Sequence, residues 1–208
     1  MDVYAPEQLK IFLKAAGKIK NVIVCVITGW ELDDIQNRVG ICKNIIYSGN
    51  HGLEIKSYYD SLKIDFLVKN AEKYIPLIEK TLNEINKFRK TALQNLIVED
   101  KKFSISMHYR LLNSGETKIL KTYIKNLLSK NPLFDEYLHI TKGKKILEIR
   151  PNIDWNKGRA CDYIVNELSK TASKKELNIL RVNIGDDITD ETMFVPSYKK
   201  KPPRTAQI

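Results

Sequence analysis

Four carboxylates, Asp186, Asp187, Asp190 and Glu191, crowd into the segment GDDITDE at residues 185–191. Carboxylates that close repel one another, so the segment calls for compensating positive charge, and a hard Mg²⁺ bound through one or two of them supplies it. The other reading is an acidic helix N-terminus, which the helix dipole favours. The segment follows an apolar run at residues 178–184 that reads as a strand, and open α/β sheets bind ligands beyond the carboxyl ends of their strands. That placement favours metal. Thr28 and Gly29 end another such run, where a hydroxyl and a free backbone amide can both address a phosphate oxygen, although a plain turn is the commoner explanation of either residue alone. Lys157 and Gly158 open a helical stretch, and an ammonium there could meet the same phosphate, although a lone lysine at a helix start is usually a solvated charge.

The elements that must hold these residues follow from periodicity. Behind Pro6, the positions Leu9, Ile11, Phe12 and Ala15 predict an amphipathic helix over residues 6–20. Residues 21–27 (NVIVCVI) are an unbroken, mostly β-branched run, the pattern of a strand buried on both faces, and residues 44–47 repeat it after a short helix at 31–39. Strand, helix, strand predicts an α/β fold with a parallel sheet. Residues 61–91 then form a long Lys/Glu-rich helical stretch, interrupted at most by Pro76, with Ile75, Ile78, Leu82 and Ile85 at helical spacing.

Alternation takes over next. Phe103, Ile105 and Met107 face one way and Ser104, Ser106 and His108 the other, predicting a half-buried strand paired with residues 95–101. A helix at 116–130 and two strands at 137–141 and 145–149 complete an α+β lobe at residues 57–152. A helix at 157–169 and a strand at 178–184 return to the first domain, which therefore comprises residues 1–56 and 153–194. Residues 195–208 are rich in Pro and Lys without periodicity and are predicted to be a disordered basic tail.

Length and composition narrow the class. The 208 residues allow one large domain or two small ones, and 43% hydrophobic with 29% charged residues is an ordinary globular composition. The formal charge of +10 invites a nucleic-acid partner. Against that, Lys199, Lys200, Lys201 and Arg204 lie in the predicted tail, other charges coat the long helix, and no aromatic-interleaved RNA signature occurs. Cys25, Cys42 and Cys161 have neither metal-ligand nor redox spacing and read as reduced thiols. No stretch reaches the roughly 18 apolar residues of a membrane span, and the first ten residues lack signal-peptide features, so a soluble cytoplasmic protein with no membrane partner is expected.

Four segments carry a specific resemblance: IYSGNHGLEI (46–55), VEDKKFSISMHYR (98–110), LEIRPNIDWNKGRA (147–160) and IGDDITDE (184–191). In order and spacing they resemble the trehalose-6-phosphate phosphatase family of the haloacid dehalogenase-type superfamily, and in particular the phosphatase part of animal trehalose-synthesis proteins. The resemblance implies a Rossmann-like core with an inserted α+β cap, and a Mg²⁺-dependent hydrolysis of trehalose 6-phosphate to trehalose and phosphate. It implies that Thr28 hydrogen-bonds the transferring phosphoryl group and that Lys157 neutralises its charge. Asp186 would ligate Mg²⁺, with Asp187 and Asp190 supporting the metal or orienting Lys157. In the cap, Glu99, Lys101, His108 and Arg110, with Glu148 and Arg150, would offer a polyhydroxyl disaccharide the donors and acceptors it needs. Asn50 and His51 would meet it from the core, with a structural turn as the rival reading. Association with a trehalose-phosphate synthase is a further implication.

The chain also departs from that pattern. The family's reaction starts at a DxDGT motif whose first Asp attacks phosphorus and whose second serves the leaving sugar oxygen, and no DxDGT occurs in these 208 residues. Asp2, the nearest candidate, lacks a second Asp and a Gly. Trp30 stands where the family more often has Arg. The expectation is a phosphatase-derived chain whose ends are missing and which is inactive as written; the alternative is a noncatalytic trehalose 6-phosphate-binding or regulatory protein.

Overall fold

The computed structural model describes residues 5–40, 42–171 and 178–195, together with the backbone of 204–207. It forms two compact units, Met1–Val68 with Trp155–Ile208, and Lys69–Asp154. The predicted lobe at 57–152 is thus shifted, because the chain stays in the first sheet for two more strands before leaving it.

In the first unit, α1 (Glu7–Ala16) starts behind Pro6, which caps it with extended backbone (ψ 143°). Strand β1 (Val24–Ile27), helix α2 (Leu32–Val39) and strand β2 (Ile45–Gly49) make the predicted β-α-β unit, the strands parallel with Val24 opposite Ile45. All five residues of β2 are buried. Strands β3 (Glu54–Ser57) and β4 (Asp65–Leu67) then extend the sheet antiparallel, in the order β1-β2-β3-β4. The long helix predicted from residue 61 does not include 65–67; Phe66 instead pairs with Ile55 and stacks on Tyr163 at 4.1 Å.

Strand β1 also departs from expectation. It lies at one edge of its sheet and leaves Cys25 exposed, because a β-branched run reads alike whether or not a neighbour covers it.

The second unit follows the predicted order. A 3₁₀ turn at Ala71–Tyr74 leads into α3 (Ile75–Ala92), so Pro76 sits in the first turn, where its missing N–H costs nothing, and starts the helix rather than interrupting it. Strands β5 (Ile97–Asp100) and β6 (Ile105–His108), helices α4 (Ser114–Ser129) and α5 (Pro132–Tyr137), and strands β7 (Leu138–Gly143) and β8 (Ile146–Pro151) follow. The sheet is antiparallel, in the order β5-β6-β8-β7. Helix α4 begins at a capping box, with Asn113 Oδ1 accepting from the Glu116 N–H at 2.9 Å and Glu116 returning the bond to Asn113 N–H at 2.8 Å. Ile85, Ile105, Met107, Leu120, Leu147 and Ile149 share one buried cluster, against which Phe88 and Tyr123 stack on each other at 3.6 Å.

Back in the first unit, α6 (Lys157–Thr171), β9 (Leu180–Asn183), a 3₁₀ turn at Ile188–Asp190 and α7 (Glu191–Phe194) follow the predicted sequence of elements. A last strand, β10 (Arg204–Gln207), pairs in parallel with β9 as a two-stranded sheet. It replaces part of the predicted disordered tail: Arg204 lies opposite Leu180 in that ladder. Lys199, Lys200, Lys201 and Asp2 fall outside the described residues. Among those described, no helix is long and apolar enough to cross a membrane.

Candidate active site

The carboxyl ends of β1 and β2 are tied together by their turns. Thr28 N–H donates to the Ser48 carbonyl at 3.0 Å, His51 N–H to the Thr28 carbonyl at 2.8 Å, and Asn50 N–H to the Trp30 carbonyl at 2.7 Å. Asn50 and His51 take up left-handed backbone, with φ of 50° and 56°, which asparagine tolerates better than most side chains and which marks this turn as over-determined by its neighbours. A Cβ on Gly29 would lie 2.6 Å from the His51 ring, so that ring packs directly on bare backbone there. The Thr28 hydroxyl accepts from Trp30 N–H at 3.2 Å, which leaves its own O–H free to donate. Asn50 donates to Glu54 Oε2 at 2.8 Å, a partner that sequence reasoning missed. Trp30 carries the Arg38 guanidinium over its ring at 4.5 Å.

The same turn meets the start of α6. Trp155 Nε1 donates to the Gly52 carbonyl at 2.7 Å, and a Cβ on Gly52 would meet Ala160 at 2.7 Å. Asn156 caps the helix, its Oδ1 accepting from Arg159 N–H at 3.0 Å. Lys157 therefore sits at the positive end of a helix, an unfavourable place for an ammonium. Asp190 answers that charge: its Oδ1 lies 2.6 Å from Lys157 Nζ, and the two side chains are only 9% and 8% exposed. The other oxygen of Asp190 accepts from Asp187 N–H at 3.1 Å. Gly185 and Gly158 make the approach possible. A Cβ on Gly185 would strike the Asp190 carboxylate, and one on Gly158 the Thr192 carbonyl.

These contacts sort the acidic segment. Asp190 holds Lys157, the second of the two roles that the resemblance allowed it. Asp186 and Asp187 are exposed. Among the described residues no three His, Cys, Asp or Glu side chains gather as a metal cage. Mg²⁺ needs no such cage, since it keeps waters and is commonly held through one or two carboxylates with substrate phosphate, and Asp186 with Asp187 fits that donor set.

The second unit gathers its polar residues on the sheet face opposite its apolar cluster. Glu148 on β8 is buried, and its Oε1 accepts from the hydroxyls of Ser104 and Ser106 at 3.2 Å each and lies 3.7 Å from Lys101 Nζ. Thr141 reaches its other oxygen at 3.5 Å. Glu99 on β5 lies 3.0 Å from His108 Nε2 and 3.9 Å from Lys101. Burial lowers the pKa of Arg150, with Glu148 opposing that shift, and Arg150 pairs across the ladder with His139. One sequence placement is corrected. Lys101 occupies the β5–β6 turn rather than a strand, and β6 ends at His108, so Arg110 lies beyond the alternation and is exposed. Thr141 and His139 were missed, although their alternate positions on β7 signalled this face.

A profile of the trehalose-phosphatase family matches residues 2–206. The chain belongs to the trehalose-phosphatase family. It is 32% identical over 172 residues to a probable trehalose-phosphate phosphatase C of Arabidopsis thaliana, covering 81% of this chain and 51% of that relative. Across the plant relatives it matches, the chain spans about half of their length. Its fold is that of a trehalose-6-phosphate phosphatase related protein (TM-score 0.70, 18% identity, covering 92% of this chain and 72% of the other). It is likewise similar to the C-terminal domain of a Candida albicans trehalose synthase regulatory protein (TM-score 0.67, 12% identity, 97% and 76% covered). The α/β phosphatase fold expected from the four segments is therefore the fold this trehalose-phosphatase family member has.

Proposed function

We propose that these residues recognise trehalose 6-phosphate as part of a phosphatase that hydrolyses it to trehalose and phosphate. The observation that carries the reading is the buried Lys157–Asp190 pair, at the start of a helix joined through Trp155 to the turn that holds Asn50 and His51. An ammonium fixed by one carboxylate at a helix N-terminus is preorganised for phosphoryl oxygens, and preorganised charge is the main resource of phosphoryl transfer. Thr28 would donate its free O–H to the same group. Mg²⁺ held by Asp186 and Asp187 would supply further charge neutralisation at the phosphoryl oxygens. In the second unit, Glu148, Lys101, Glu99 and His108 form a grid of acceptors and donors suited to sugar hydroxyls, with Arg150 and the exposed Arg110 beside it.

No residue among the 208 supplies the aspartyl nucleophile of a DxDGT motif. On this proposal the chain by itself binds the sugar phosphate and leaves it intact, and phosphate release belongs to a protein that also contains that motif. Calorimetry of the 208-residue chain with trehalose 6-phosphate and Mg²⁺, beside a phosphate-release assay, tests this. Binding without release is expected; no heat of binding would remove the reading, and release of phosphate would overturn the noncatalytic part of it. Because a trehalose-phosphate synthase makes the substrate, association with such an enzyme in the cytoplasm belongs to the same proposal, and co-purification of the two chains checks it.

A further inference from the structure

Strand β9 is built inside out. Its apolar residues Leu180 and Val182 are 61% and 47% exposed, whereas Arg181 and Asn183 are buried. Between them the two buried side chains reach two helices. Arg181 Nη1 lies 2.6 Å from Asp162 Oδ1 in α6, while Arg181 Nη2 and Asn183 Nδ2 each donate to the Met193 carbonyl in α7 at 2.6 Å. Among the described residues the Arg181 Nε–H has no partner, so the buried charge is not fully satisfied and stability alone is a poor account of its presence.

The geometry of these bonds supplies a better account. Helix α6 begins at Lys157 and α7 begins at Glu191, one residue after Asp190. Those two helix starts are the ones joined by the Lys157–Asp190 pair and by Gly158 N–H donating to Thr192 Oγ1 at 3.2 Å. Arg181 grips one helix through a carboxylate and the other through a carbonyl, from a strand lying between them in sequence.

We infer that Arg181, assisted by Asn183, is a positioning residue that sets α6 against α7 and thereby holds Lys157 on Asp190. The inference rests on the proposed role of Lys157 at the phosphoryl group for its functional meaning, but its structural content can be measured without any phosphate ester. Arg181 touches neither substrate nor metal in this account. It acts through Asp162 and the Met193 carbonyl.

The test is acetylation of the full chain by an activated ester, with the rate at Lys157 read by mass spectrometry, and alkylation of buried Cys42 as the report that the first unit stays folded. Arg181→Met should speed Lys157 acetylation by about tenfold, a local opening, while Cys42 reacts as in the parent chain. Asn183→Ala, which removes one neutral hydrogen bond and no charge, should speed it by a smaller factor. A merely structural Arg181 would expose Lys157 and Cys42 together or neither. Lys157 as protected in a folded Arg181→Met chain as in the parent overturns the inference. If that variant exposes Cys42, Asn183→Ala decides: faster Lys157 with Cys42 protected supports the inference, and an unchanged Lys157 overturns it. Failure of the functional reading shows elsewhere, as the absence of any trehalose 6-phosphate binding by the parent chain, whatever Lys157 does.

Discussion

In Lys69–Asp154 the sheet separates its residues cleanly: Ile105, Met107, Leu147 and Ile149 pack into the helices, and Glu148, Ser104 and Ser106 share the other face. In the other unit β9 reverses that division, and β1 leaves Cys25 exposed at a sheet edge. The first arrangement draws its stability from one-sided apolar burial within a stretch of consecutive elements. The second is held, around the acidic loop, by two buried ion pairs that connect residues far apart in sequence, Lys157 with Asp190 and Arg181 with Asp162. Apolar burial tolerates small changes of position, whereas a buried ion pair is favourable only while both partners stay in place. The unit with the proposed phosphoryl chemistry is therefore the one whose geometry is the more sharply specified.

The largest effect expected from this contrast is at Lys157. Lys157→Met leaves the Asp190 carboxylate buried beside an apolar chain and should cost about 3–5 kcal/mol in denaturant titration, with much of that recovered when Asp190→Leu is added. If the single and double variants are equally unstable, the pair is not what holds this corner. Next in size is Ile105→Ala, which opens a cavity in the second unit and should cost about 2–4 kcal/mol. Leu180→Ala, equally apolar but exposed on β9, should stay within about 0.5 kcal/mol. Comparable losses for the two would erase the distinction drawn between the sheets. Smaller than the loss at Ile105 is that of Glu148→Gln, which keeps the side chain's shape but gives up the charge facing Lys101. A loss of about 1–3 kcal/mol in the melting of the second unit is expected, together with weaker sugar-phosphate binding by calorimetry.

The same contrast explains what could be read in the sequence. Elements of the second unit were legible because their faces are recorded in local periodicity: the alternation at 103–108 and the helical spacing from Ile75 to Ile85 each survive intact. The helical reading of 61–70 failed because a three-residue strand such as β4 is too short to show a period, and its identity comes from pairing with β3. Thr28, Lys157 and the acidic segment were visible as motif residues at strand and helix ends. Which of its two roles Asp190 takes was not, since its contact with Lys157 depends on the close approach that Gly158 and Gly185 permit across 33 residues of chain. Arg181 and Asn183 were hidden for a related reason. NILRVNI reads simply as an apolar strand, and that Arg181 and Asn183 are its buried residues comes only from the positions of Asp162 and Met193.

The smallest effect separates the two units by pH. Burial pushes the Cys161 thiol in α6 up to about 11; Arg181 pulls it down, Asp162 reinforces the rise and Lys157 opposes it. An unfolded cysteine ionises near its ordinary value of about 8.5. Above that value the unfolded chain has released a proton that the folded chain still holds, so the unfolded state binds fewer protons and stability falls as pH rises, from about pH 9 until the folded thiol itself ionises near 11. The second unit contains no cysteine. Amide exchange at constant temperature should therefore show α6 opening more readily at pH 9.5 than at pH 8, beyond the ordinary rise in chemical exchange rate, with α3 unaffected by this term. Cys161→Ala should flatten that dependence in α6, and Arg181→Met, which removes a cation that eases ionisation, should carry the fall to higher pH. An α6 whose pH dependence is the same with and without Cys161 would mean that the thiol ionises alike in both states, and that the packing between α6 and β9 is looser than its buried ion pair implies.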